Sequence, residues 1–316
     1  MKKAPEQRTA VVVGAGTIGL GWITLFLAAG LRVRVNDPRP DVEQAVRDGV
    51  RQFARTLPGG SADPDALAAR LIIEPDVDRA VSGADVVQEN GPENIAVKQH
   101  LFARIERAAP ADALLLSSTS GLLPDDIGAR LADPGRLVIG HPFNPPHVIP
   151  LVEVVPGSQT KDKTLKAAVA FYRSVGKKPV VLHKAVPGFV ANRLQSAMFR
   201  ECVHLVREGV VSLEELDAVV TSSLGPRWAA VGPFLAFHLG GGPGGLRRLL
   251  THLGPGMERA WRNLGQPHLD EETIRYLADE ADRAYGAAYA ELAALRDVKQ
   301  NAVLSALANA EKRPRK

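Results

Sequence analysis

Cysteine is nearly missing from this chain: Cys202 is the only one in 316 residues. A single thiol excludes an intrachain disulfide and any metal cluster built on cysteines, and no metal is expected. Long apolar runs are missing too. No stretch reaches about 18 apolar residues, so no membrane span or membrane partner is expected. Excess charge is small: 39 Lys+Arg against 35 Asp+Glu leaves +4. The basic residues are scattered among acids, which argues against a nucleic-acid partner. Only Lys312 to Lys316 forms a basic run, and it reads as a solvated tail. The start, Met1 to Thr9, is charged and lacks the apolar core of a signal peptide. What is present is ordinary: 45% hydrophobic and 23% charged residues, enough for about two domains. A cytoplasmic two-domain protein is expected.

The first half alternates short apolar runs with helical patterns. Strands are predicted at Val11–Val13, Leu31–Val35, Val86–Gln88, Leu114–Ser118, Leu137–Ile139, Leu151–Val155 and 179–183. Helices are predicted at Ile18–Ala29, about 41–57, Pro92–Ala108, 124–131 and 162–175, with Pro58-Gly59-Gly60 as a break. This alternation predicts an α/β fold, a Rossmann-type mostly parallel sheet covered by helices. Past Pro187 the pattern turns helical. Val190, Leu194, Met198 and Cys202 fall at helical spacing, and helices are predicted to about residue 310. The expected domains are 1–186, binding the dinucleotide, and an all-helical 187–316. Gly240 to Gly245 follows no strand and reads as a connector rather than a phosphate cradle.

The segment from Val11 to Gly19 is a strand, then G-x-G-x-x-G, then a helix. In that context the motif predicts NAD binding. Gly14 allows the tight turn, Gly16 the approach of a pyrophosphate, and Gly19 close packing of helix on strand. The helix start at Thr17 and Ile18 offers free N–H groups to the phosphates. Asp37, 23 residues after Gly14, ends the second strand, where a carboxylate accepts from ribose hydroxyls and repels a 2′-phosphate. That favours NAD over NADP; Arg39 nearby leaves some tolerance for the phosphate, or stacks on adenine.

His141 follows a strand, inside His141-Pro142-Phe143-Asn144-Pro145-Pro146. Ligands of open α/β sheets sit at such carboxyl ends, and histidine exchanges protons near neutral pH. Glu153, 12 residues on, interrupts an apolar strand and needs a partner if buried. His141 suits it. By spacing alone, a structural histidine and an edge-strand glutamate explain the same residues.

The chain resembles the 3-hydroxyacyl-CoA dehydrogenase superfamily, most of all the lambda-crystallin and L-gulonate 3-dehydrogenase branch, with carnitine dehydrogenase as a neighbour. The resemblance rests on Gly14–Gly19, Glu89–Lys98, Ser117–Gly121, His141–Pro146, Pro150–Val155, Pro187–Leu194 and Leu224–Pro233. It implies that His141 takes the hydroxyl proton, with Glu153 as its carboxylate partner. It implies that Ser120 and Asn192 hold the reacting oxygen. Glu93 and Lys98 match positions on the nicotinamide ribose side, and Asn144 a polar residue supporting the site. Ser118 departs from the asparagine of many acyl-CoA members, and an altered cofactor hydrogen bond is expected there. A homodimer through the helical domain is implied as well.

Arg227 beside Trp228 suits a small carboxylate and resembles an arginine of the gulonate and carnitine branches; an ion pair at the surface or between domains is the alternative. The stretch from Asp37 to Val86 holds no lysine, unlike the CoA-contacting excursion of acyl-CoA members. The expected activity is NAD-dependent oxidation of a small 3-hydroxy acid, L-gulonate first. L-carnitine and a short-chain 3-hydroxyacyl thioester are the alternatives. A 6-phosphogluconate-type enzyme would need a lysine on the helix after Pro187, where none stands. A non-catalytic NAD-binding protein is disfavoured by the intact Ser120, His141, Glu153 and Asn192.

Overall fold

The computed structural model describes residues 8–58, 62–286 and 289–312. Gly59 and Gly60 of the expected break, the chain before Arg8 and the basic run after Lys312 lie outside the described residues. Two compact units result: residues up to Asn192 together with those from Ala293 onward, and Arg193–Leu292 between them. The sequence boundary at 186/187 assigns 293–316 to the helical part, whereas the described residues of that stretch, 293–312, belong to the unit of the sheet.

The first unit runs β1 (Thr9–Val13), α1 (Thr17–Ala28), β2 (Arg32–Asn36), α2 (Val42–Ala54), α3 (Pro64–Ala69), β3 (Leu71–Ile73), α4 (Val77–Val81), β4 (Val86–Glu89), α5 (Ile95–Ala108), β5 (Leu114–Ser117), α6 (Pro124–Ile127), β6 (Leu137–Pro142), β7 (Leu151–Pro156), α7 (Asp162–Ser174) and β8 (Lys178–Val181). The strands form one sheet in the order β3-β2-β1-β4-β5-β6-β7-β8. Only the β6–β7 pair is antiparallel, the other ladders being parallel. Crossover helices cover both faces, so β1 is apolar after Thr9: Ala10 and Val12 join one core, Val11 and Val13 the other. Trp22, Phe26, Phe171 and Tyr172 form an aromatic cluster in the first core.

The strand order reverses at β1, since β2 lies on one side of it and β4 on the other. Crossovers there leave to opposite faces, opening a crevice at the carboxyl ends of β1 and β4. The glycine motif and the loops after β4, β5 and β6 all issue from that edge.

Three short elements escape the sequence pattern: α3, β3 and α4. Strand β3 has three residues, too few for any periodicity. Helix α4 has five and is set by its cap, Asp76, which accepts from the Arg79 N–H.

The second unit is helical. The rest of α8 (Ala191–Arg207), then α9 (Leu213–Ser222), α10 (Leu224–Gly240), α11 (Gly245–Trp261) and α12 (Glu271–Ala284) supply it; α13 (Tyr289–Glu311) leads back to the first unit. Ser212 and Glu215 close a reciprocal cap on α9. Helix α10 was not visible as a pattern because Gly232-Pro233 interrupts it; the chain absorbs the pair as a kink with Gly232 at φ 70°. The Gly240–Gly245 connector contains a 3-10 turn at Gly242–Gly244.

Candidate active site

The glycine turn is forced by contact. Gly14 has φ +87°, and a Cβ on it would lie 2.8 Å from the Asn90 carbonyl; one on Gly19 would lie 2.0 Å from the Gly14 carbonyl. Gly16 caps α1 with no side-chain bond. A Cβ there would meet nothing within 4 Å. Open space thus adjoins the first N–H groups of α1, at Thr17 and Ile18, which suits a pyrophosphate. Asp37 accepts from the Ala15 N–H at 2.8 Å and pairs with Arg39 Nε at 2.8 Å. Burial raises its pKa, but the Arg39 and backbone bonds outweigh that and hold it below the ordinary value. A dinucleotide fits this cradle, with an ionised carboxylate at its ribose end.

Strands β6 and β7 pair so that His141 faces Glu153 across the ladder. Their side chains meet at 2.8 Å, Nδ1 to Oε2, and both are buried. The second oxygen of Glu153 accepts the backbone N–H groups of Val190 and Ala191, at 2.9 and 3.0 Å, where α8 begins. Burial pushes the Glu153 carboxyl up. The bonds from His141, Ala191 and Val190 more than reverse this and hold it below its usual range. An ionised Glu153 requires hydrogen on Nδ1, so in the neutral imidazole Nε2 is the acceptor. Phe143 and Phe189 flank the imidazole, with ring centres at 5.6 and 5.4 Å.

Ser120, Lys98 and Asn192 gather around Glu93. Its Oε1 accepts from the Ser120 and Gly121 N–H groups, each at 3.0 Å, and from Thr119 Oγ1 at 2.5 Å. Ser120 Oγ is a longer partner at 3.4 Å. Burial raises the Glu93 pKa, but Thr119, Lys98 and these N–H groups lower it further. Asn192, one residue beyond the Glu153 contact, donates to the Ser120 carbonyl at 3.2 Å. His141, Glu153, Asn192, Ser120 and Glu93 therefore form one contiguous chain.

Lys98 binds Glu89 at 2.7 Å and reaches Glu93 at 3.8 Å. Glu89 was not singled out from sequence. It is fully buried at the end of β4 and also accepts from Ser117 Oγ and the Gly91 N–H, both at 2.6 Å. A carboxylate ending an apolar strand, with a lysine nine residues later, was the available signal. Ser118 is tied into the fold by its side chain. Its hydroxyl accepts from Trp22 Nε1 and Gln88 Nε2 and donates to Asn90 Oδ1, at 3.0, 2.8 and 2.7 Å. Those bonds use the capacity of the oxygen inside the fold. Asn144 is exposed on the loop after β6. Arg227 and Trp228 lie in the second unit on α10, both exposed. Among the described residues the Arg227 guanidinium has no hydrogen bond or ion pair.

Family profiles match both parts of the chain. The 3-hydroxyacyl-CoA dehydrogenase NAD binding domain covers residues 9–186, and the C-terminal domain of the same family covers 188–275. The chain belongs to the 3-hydroxyacyl-CoA dehydrogenase family. This 3-hydroxyacyl-CoA dehydrogenase family member is 42% identical over 296 residues to an L-carnitine dehydrogenase of Streptomyces coelicolor, with 93% of each chain covered. It is also 42% identical over 288 residues to a 3-hydroxyacyl-CoA dehydrogenase of Gibberella moniliformis, with 89% of each covered. Among solved structures it resembles an NAD+-dependent dismutase, 5-formyl-3-hydroxy-2-methylpyridine 4-carboxylic acid 5-dehydrogenase, at TM-score 0.73 and 28% identity, covering 97% of this chain and 99% of that one. The chain is accordingly an NAD-dependent oxidoreductase acting on 3-hydroxy groups.

Proposed function

We propose that this dehydrogenase oxidises the 3-hydroxyl of a small free hydroxy acid to the 3-keto acid, with L-carnitine ahead of L-gulonate as substrate. From sequence alone L-gulonate comes first; near-full-length similarity to L-carnitine dehydrogenases supports the reverse order. The observation that carries the chemistry is the buried His141–Glu153 pair at 2.8 Å, joined through α8 to Asn192 and Ser120. His141 Nε2 takes the hydroxyl proton. Glu153, held ionised, keeps Nδ1–H in place and stabilises the imidazolium. Ser120 and Asn192 hold the reacting oxygen. Gly14, Gly16, Thr17, Ile18, Gly19, Asp37 and Arg39 bind NAD, with Glu93 and Lys98 shaping its nicotinamide side. Bound NAD supplies the hydride acceptor.

Arg227 gives the substrate carboxylate a cation, and Trp228 offers a π face that a quaternary ammonium favours. A thioester substrate is the second reading, supported by the Gibberella relative. The test is NADH absorbance over L-carnitine, L-gulonate, 3-hydroxybutyrate and 3-hydroxybutyryl-CoA. Highest kcat/KM on a free acid supports the proposal; a preference for the thioester refutes it.

We further infer a homodimer, in the cytoplasm. Helices α10 and α11 leave Phe234, Leu239, Leu253 and Trp261 exposed, an apolar surface of the kind that oligomers cover. Sedimentation at micromolar concentration returns a dimer mass if this is right and a monomer mass if it is not. No helix among the described residues is long and apolar enough to cross a membrane.

A further inference from the structure

Lys177 is a buried cation that, among the described residues, pairs with no carboxylate. Its Nζ donates to the carbonyls of Pro146 and Ile149, each at 2.5 Å, and lies 5.2 Å from the centre of the Trp22 ring. Both carbonyls belong to the loop 143–150, which joins β6 to β7. Those strands carry His141 and Glu153.

The same loop is held on two further sides. Pro146 rests on α1, where a Cβ on Gly21 would come within 2.8 Å of its Cδ. His147 stacks on Phe53 of α2 with ring centres 4.3 Å apart and meets Thr56 Oγ1 at 2.9 Å. Within the loop, the Val148 and Ile149 N–H groups both return to the Pro145 carbonyl. Two carbonyl dipoles converging on one point repel unless a group with several donors sits between them. An ammonium has three donors; two are used by the carbonyls, and the Trp22 face accommodates the remaining charge.

Holding that charge is costly. Burial pushes the Lys177 amine down to about 7. His147 faces it from the loop, and Asp297 and Arg296 on α13 act on His147 in turn. A neutral donor would spare the fold the desolvation of an ammonium.

We propose that Lys177 is a positioning residue for the reaction: through Pro146 and Ile149 it fixes the β6–β7 loop, and with it the placement of His141 and Asn144. This rests on His141 being the base. The experiment pairs steady-state kinetics with deuterium exchange of the cofactor-free protein, on Lys177→Met, Lys177→Gln and His141→Gln. In Lys177→Met, kcat falls about tenfold to a hundredfold, the scale of a small misplacement of reacting groups. KM for NAD stays near wild type, and exchange rises in residues 143–150 above the rest of the sheet domain. Lys177→Gln, with two donors, recovers part of both, and it carries the test if the Met variant does not fold. His141→Gln loses activity with loop exchange unchanged; if it keeps activity, the base assignment fails, while the exchange data still decide on Lys177. Unchanged loop exchange in a folded Lys177 variant, or raised exchange with wild-type kcat, overturns the proposal.

Discussion

Glu153 holds His141 with one carboxylate oxygen and the start of α8 with the other. One side chain thus fixes the tautomer of the imidazole and ties it to the helix that carries Asn192. The arrangement needs an acceptor on both oxygens and a negative charge beside the ring.

Glu153→Gln tests that requirement. The amide supplies one acceptor but turns two donors toward groups that are themselves donors. We expect kcat to fall by about a hundredfold to ten-thousandfold, the range for disturbing an acid–base pair, with NAD binding retained. Near-wild-type kcat in the folded variant would remove Glu153 from the mechanism.

Asp37→Ala addresses cofactor choice. It removes an ionised acceptor at the end of β2 and frees Arg39 from its ion pair. KM for NAD should rise roughly tenfold or more, the scale of a lost charge-assisted bond, and NADP should become a usable cofactor. An unchanged NAD-to-NADP ratio of kcat/KM would contradict this.

Arg227→Met should raise KM for the free acid by about 10- to 150-fold, on the same scale for a charge-assisted pair, and leave NAD affinity unchanged. Lysine at this position should restore part of the loss, lacking the planar fork. Turnover of a thioester should be unaffected. Equal KM for every free acid tested, with the fold intact, would give Arg227 a structural role.

His147, on the β6–β7 loop, links stability to acid. Burial pushes its pKa down from 6.5 to about 4, against the pull of Asp297. The folded chain therefore binds this proton more weakly than the unfolded one. The stability held by neutral His147, roughly 3 kcal/mol, is complete above pH 6.5 and is lost as pH falls toward about 4. His147→Gln, which cannot titrate, should lose less Tm between pH 7 and 4.5 than the wild type. Parallel Tm curves would contradict it.

Much of this was legible in the residues. Short apolar runs, the glycine motif and the helical spacing after Pro187 mark the sheet, its dinucleotide edge and the helical region. The His141–Glu153 pairing was suggested by a charge inside an apolar strand, and the register of β6 on β7 gives its cause. What stayed hidden depends on distant contacts. Lys177 reads as one of two adjacent lysines, and only packing against Trp22 and the loop sets it apart from Lys178. The bond of Ser118 to Trp22, 96 residues earlier, lies equally beyond any local pattern. Helix α10 is masked by Gly232-Pro233, which in sequence cannot be told from a break.

The most direct test of the account is NADH formation from L-carnitine, measured in parallel on the wild type and His141→Gln. The account predicts turnover by the wild type and a loss of about a hundredfold to ten-thousandfold in the variant, with NADH binding by fluorescence unchanged. Turnover of 3-hydroxybutyryl-CoA but of no free acid, or near-wild-type turnover by His141→Gln, would contradict it.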